Sequence, residues 1–105
     1  MWSRETNKGE REMTNHEFAR KQIDFYTGDV AFSVEQMKYY REIIKKENAF
    51  IKEAQKEGYT FTTTKEKTYA EKQYNYYYGQ KKHDEKMIAY CKKVLLTADY
   101  LLFED

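Results

Sequence analysis

Proline is absent from this chain, glycine occurs four times and cysteine once. Without proline, the commonest cause of a sharp helix break is missing. The glycines are isolated from one another, so no glycine-rich loop exists to cradle a phosphate. A single cysteine, Cys91, cannot close an intramolecular disulfide, which points to a reducing compartment. Aliphatic side chains are also scarce, with only three valines and four leucines. No apolar run approaches the ~20 residues of a membrane span, and the first residues lack the apolar segment of a secretion signal. The expectation is a soluble protein, cytoplasmic in a bacterial host, with no membrane partner.

Aromatic rings take the place of the missing aliphatics: 11 tyrosines and 6 phenylalanines. A tyrosine buries a large ring but its hydroxyl needs a partner or water, so tyrosine-rich faces suit half-buried seams and contact surfaces. The core should therefore be thin and aromatic, with some rings accessible. Charged residues make up 35% of the chain and nearly cancel, to a formal net charge of +1. Within residues 64–93, however, eight lysines stand against four acids, while Asp99, Glu104 and Asp105 make the end acidic.

Residues 1–12 show no periodicity and carry only Trp2 as a large apolar group, which reads as a disordered leader. Lys8-Gly9-Glu10 can be encoded by a purine run like a bacterial ribosome-binding site, with Met13 after a short spacer. On that reading the natural start is Met13 and the gene belongs to a compact, AT-rich bacterial or phage genome; the alternative is an ordinary tripeptide before an internal methionine. Residues 13–105 are then expected to form a single helical domain.

Three capping-box patterns, a hydroxyl followed three residues later by Glu or Gln, punctuate that domain: Thr14 to Glu17, Ser33 to Gln36 and Thr63 to Glu66. The first predicts a short helix with Phe18, Ile23, Phe25 and Tyr26 on its apolar side, ended by Thr27-Gly28 and followed by a linker at 29–32 in which Val30 and Phe32 tuck under neighbours. The second opens a helix over 33–57, in which Met37, Tyr40, Ile44, Ile51 and Ala54 recur at spacings of three, four and seven, with Ile43 and Phe50 widening the stripe. Gly58 closes it, and 59–63 forms the loop. From 64 to 103, Ala70, Tyr74, Tyr77, Ile88, Cys91, Leu95, Ala98 and Leu102 keep one phase through a polar patch at 79–86. One long helix is favoured there, with a break at Gly79 and a fourth helix capped by Asp84 as the alternative. The fold class expected is all-α: an antiparallel helical hairpin of about 33–57 and 64–103 with a short N-terminal helix packed on it, making a three- or four-helix bundle. An overhanging long helix would have to bury its excess against the first helix or a second chain, which favours a homodimer.

On the last helix Lys65, Tyr69, Lys72, Tyr76, His83, Lys86, Tyr90 and Lys93 fall near a second stripe, distinct from the apolar one. Lysines can neutralise phosphates or carboxylates, and tyrosines can stack on bases or fill a protein pocket. The competing reading is a solvated face of snorkelling lysines beside a tyrosine-lined seam. In Tyr74-Asn75-Tyr76-Tyr77-Tyr78 consecutive side chains point all round the helix, so at least one ring must face outward. The candidate partner-binding residues are therefore Lys65, Tyr69, Lys72, Tyr74, Tyr76, Tyr78, Lys82, Lys86, Tyr90 and Lys93.

No catalytic, metal or cofactor site is expected. His16, His83 and Cys91 have no ligand spacing, Cys91 lies in the apolar phase, and His83-Asp84 has no nucleophile to complete it. The leading functional expectation is a small non-enzymatic protein-interaction module, an accessory product of a phage or mobile element. It would bind and inhibit a host protein such as a defence nuclease or a replication or transcription factor. The near-neutral charge argues against mimicry of DNA. A second expectation is a nucleic-acid-binding helical protein using the Lys/Tyr stripe of 65–93, disfavoured because arginine is absent after Arg41. A third is a structural helical oligomer whose rings are consumed by self-association.

Overall fold

A computed structural model describes residues 15–104, with side chains over 15–97. The leader, Met13 and the Thr14 cap lie outside the described residues. Two helices account for nearly all of the rest, α1 (Asn15–Lys56) and α2 (Lys65–Glu104), and no strand occurs among the described residues. The all-α class is as expected, and the helix count differs: the short first helix, the linker at 29–32 and the helix starting at Ser33 are all one element.

The reason lies in what the continuous helix buries. Ala19, Ile23 and Tyr26 before Gly28, and Val30, Ser33 and Met37 after it, are all buried or half-buried. A helix interrupted at Gly28 would lose that common phase. Glycine in a helix interior costs about 1 kcal/mol, whereas fully burying a single Met or Ile contributes about 1.5–3 kcal/mol. Burial outweighs the glycine, and no proline enforces a stop. Ser33 is consequently no cap; it is 2% exposed inside the helix. Gly79 is likewise passed without a break, and α2 runs on to Glu104.

Packing divides the chain into two compact units, residues 29–83 and residues 15–28 with 84–104. In the first, α1 and α2 form a hairpin. Val30, Ser33, Met37, Tyr40, Ile44, Glu47, Ile51 and Ala54 are the inward positions of α1, and Lys67, Ala70, Tyr74 and Tyr77 those of α2. These steps alternate three and four, the repeat of a coiled-coil seam. Ala70 is 0% exposed and lets the helices approach closely. In the other unit the inward positions are Ala19, Ile23 and Tyr26 against Asp84, Ile88, Cys91 and Leu95. Cys91 is 6% exposed, a core thiol. Asp84, which the sequence reading left in a polar patch, continues the phase of Tyr77 and Cys91 and is 2% exposed.

The turn between the helices is closed by hydrogen bonds. The Gly58 N–H donates to the Gln55 carbonyl at 3.1 Å and the Tyr59 N–H to the Ala54 carbonyl at 3.1 Å, the paired bonds of a Schellman cap. Gly58 has φ of +99°, which glycine adopts without a Cβ penalty. The Gln55 amide donates to the Phe61 carbonyl at 3.1 Å and ties down the connector. The cap of α2 is Thr64, one residue later than the capping box places it: its hydroxyl oxygen accepts from the Lys67 N–H at 3.1 Å. The same hydroxyl donates to the Glu47 carboxylate at 2.6 Å, which gives this seam acid a partner.

Candidate functional site

Within residues 29–83 the rings form one connected cluster. Tyr77 stacks on Tyr40 at 6.3 Å between centroids and meets Phe32 edge-on at 5.9 Å. Tyr40 in turn contacts Tyr39 at 5.0 Å and Tyr69 at 6.2 Å, and Tyr76 lies edge-on to Tyr77 at 5.1 Å. Such offset and edge-on pairs are the favoured aromatic geometries. Tyr40 and Tyr77 are the half-buried centre. Burial, and then a hydrogen bond with Tyr69, push the Tyr40 hydroxyl above the ordinary tyrosine range.

The outer members of the cluster are open to solvent: Phe32 is 54% exposed, Tyr39 60%, Tyr69 56% and Tyr76 57%. They share one side of the hairpin for a geometric reason. In an antiparallel pair the residue just before an inward position on each helix leans to the same side of the seam. Phe32, Tyr39, Tyr69 and Tyr76 directly precede Ser33, Tyr40, Ala70 and Tyr77. Nearer the turn a second group of rings forms, with Phe50 stacked on Phe61 at 6.0 Å and Tyr59 6.1 Å from Phe61. These rings border a shallow recess of about 380 Å³.

The ten candidate residues therefore separate. Tyr69 and Tyr76 belong to the aromatic face, and Lys65 and Lys72 are exposed along the outer edge of α2 beside it. Tyr74 faces the seam instead, half-buried, where the Arg41 guanidinium donates to its hydroxyl at 3.1 Å and lies 5.7 Å from its ring centre. Tyr78, two residues or about 200° of helix from Tyr76, points to the opposite side with the Lys82 ammonium 5.3 Å over its ring. Lys86, Tyr90 and Lys93 are exposed on α2 in the other unit, where Tyr90 borders a recess with Phe18, Ala19, Cys91 and Val94.

The α1 half of the face was not among the candidates. Its signal is the spacing of Phe18, Phe25, Phe32 and Tyr39, each seven residues after the last. The expectation that Phe18 and Phe25 pack inward and Phe32 tucks under neighbours fails, since they are 55%, 64% and 54% exposed. The inward side belongs to Ala19, Tyr26 and Ser33, one residue later in each case. Among the described residues no three His, Cys, Asp or Glu side chains lie close enough to hold a metal, and no helix is long and apolar enough to cross a membrane.

No protein-family model, curated protein or solved structure matches the chain. What the fold and the face define is a class, an all-α protein that among the described residues consists of two long helices, with Phe32, Tyr39, Tyr69 and Tyr76 exposed on one side of the 29–83 hairpin and Tyr78 on the other.

Proposed function

We propose that this chain is a non-enzymatic protein-interaction module whose docking surface is the aromatic face of residues 29–83. The observation that carries this reading is the cluster of Phe32, Tyr39, Tyr69 and Tyr76, each more than half exposed yet held in place by the half-buried Tyr40 and Tyr77. Rigid rings lose little conformational entropy when covered, which is why aromatic side chains dominate binding hot spots. The biological setting we assign is that of a phage or mobile-element accessory protein that binds and inhibits a host protein in the bacterial cytoplasm.

Affinity capture from a nuclease-treated bacterial lysate tests it. The unmodified chain should retain a host protein that the Tyr39→Ser/Tyr76→Ser variant loses, with both chains equally helical by circular dichroism. Retention unchanged in the variant would refute the face as the docking surface. The second reading, nucleic-acid binding, is favoured by Lys65 and Lys72 beside Tyr69. It requires affinity that falls steeply with salt and is lost in Lys72→Glu/Lys82→Glu/Lys86→Glu.

A further inference from the structure

The hairpin of residues 29–83 leaves a large area of ring surface open. With Phe50 57%, Tyr59 62% and Phe61 36% exposed in addition to the four cluster rings, and about 200 Å² per ring, roughly 750 Å² of aromatic surface is uncovered. The four cluster rings account for roughly 450 Å² of it, within the about 300–600 Å² of the largest, often functional, apolar patch on a typical monomer. The turn rings bring the total close to the ~800 Å² that each partner contributes to a standard stable interface.

The two rims of the cluster carry opposite charge. On α1 the outermost row beside Phe32 and Tyr39 is Glu35, which pairs with Lys38 at 3.8 Å, and Glu42, and on α2 the outermost row beside Tyr69 is Lys65 and Lys72, all four exposed. A surface with acid along one rim and base along the other complements itself under one kind of two-fold axis. An axis parallel to the helices sets α1 of one copy against α2 of the other at the same height, and because Arg41 meets Tyr74 within one hairpin, Glu42 then comes level with the partner copy's Lys72. The alternative axis, across the helices, sets acid on acid and base on base. A polyanion such as nucleic acid would meet the lysines but also the Glu35–Glu42 rim, which repels it.

We propose that the occupant of this face is a second copy of the chain, so that two 29–83 hairpins meet ring face to ring face as a four-helix bundle with α1 opposite the partner's α2. The inference rests on the reading of the ring face as a protein-docking surface, and it adds that a second copy covers the face in the free protein, to be displaced when a host protein binds there. Glu42 and Lys72 sit on opposite outer edges of one hairpin, so a pairing between them exists only across copies.

Sedimentation equilibrium on the full chain over a concentration series tests both parts. The unmodified chain should sediment as a dimer, and Tyr39→Ser/Tyr76→Ser as a helical monomer. Glu42→Lys and Lys72→Glu should each weaken the dimer about tenfold, because a two-fold repeats each contact, and the combined Glu42→Lys/Lys72→Glu variant should regain most of the loss. A monomer at every concentration, or a dimer indifferent to the ring replacements, overturns the proposal. Failure of the double variant to recover overturns the α1-to-α2 arrangement. A monomer that nonetheless holds a host protein through the same rings sinks only the pairing and leaves the interaction module standing.

Discussion

The three glycines of the described residues make opposite demands, and replacing each with alanine tests the continuity of the helices. At Gly28 and Gly79 a Cβ would meet nothing within 4 Å, and neither has a positive φ. If the backbone is helical at both positions, Gly28→Ala and Gly79→Ala should each stabilise the protein by about 0.8–1 kcal/mol, the helix-interior difference between the two residues. For a domain near 100 residues this raises Tm by roughly 4–8 °C. At Gly58 there is equally no steric obstacle, but φ is +99°. Alanine there should cost about 1–2 kcal/mol through the left-handed backbone alone, lowering Tm by a comparable amount. Thermal unfolding followed by far-ultraviolet circular dichroism, at one fixed protein concentration so that any self-association is held constant, reads all three. A neutral or destabilising Gly28→Ala would refute a continuous α1 and restore the turn at Thr27-Gly28.

Thr64→Ala should cost about 1–2 kcal/mol, because it removes the acceptor for the Lys67 N–H and the donor to Glu47, while Thr63→Ala should cost markedly less; urea midpoints of the two variants compare the candidate caps directly. The hydroxyl of Tyr40 is held above its usual range, first by burial and then by its hydrogen bond with Tyr69. Since the unfolded chain then releases that proton first, the stabilisation is complete below about pH 10 and is lost as pH rises from there through the folded value. Tyr40→Phe should accordingly lose less stability than the unmodified chain as pH rises above about 10, as read from urea midpoints, and an identical alkaline decline in both would contradict the assignment.

Much of the fold was legible in local chemistry. The three-and-four spacing of Met37, Tyr40, Ile44, Ile51 and Ala54 marks the inward side of α1, and all five are buried or half-buried. Gly58 marks its end, because a helix terminus needs a residue free of the Cβ penalty in the left-handed region. The run from Ala70 to Leu95 marks α2. Local signals misled where two of them compete at one position. Thr27-Gly28 and Ser33-Val34-Glu35-Gln36 have the chemistry of a stop and a start, yet each motif is worth only about 1 kcal/mol. A common phase of burial on both sides of Gly28 is worth more.

The order and spacing of residues by themselves determined that this protein would be built from long helices with a glycine-closed turn and too many rings for its interior, because propensity, capping and periodicity act between near neighbours. Which rings were surplus was decided only in the tertiary structure. Phe25 and Tyr26, or Phe32 and Ser33, are adjacent on a helix and about 100° apart, and the partner helix selects the inward one by how closely the backbones approach. Near-zero exposure of Ala70 and Ser33 shows that small residues take the tightest places in the hairpin, so the bulky Phe32 and Tyr39 of α1 and Tyr69 and Tyr76 of α2 are turned out together onto one face.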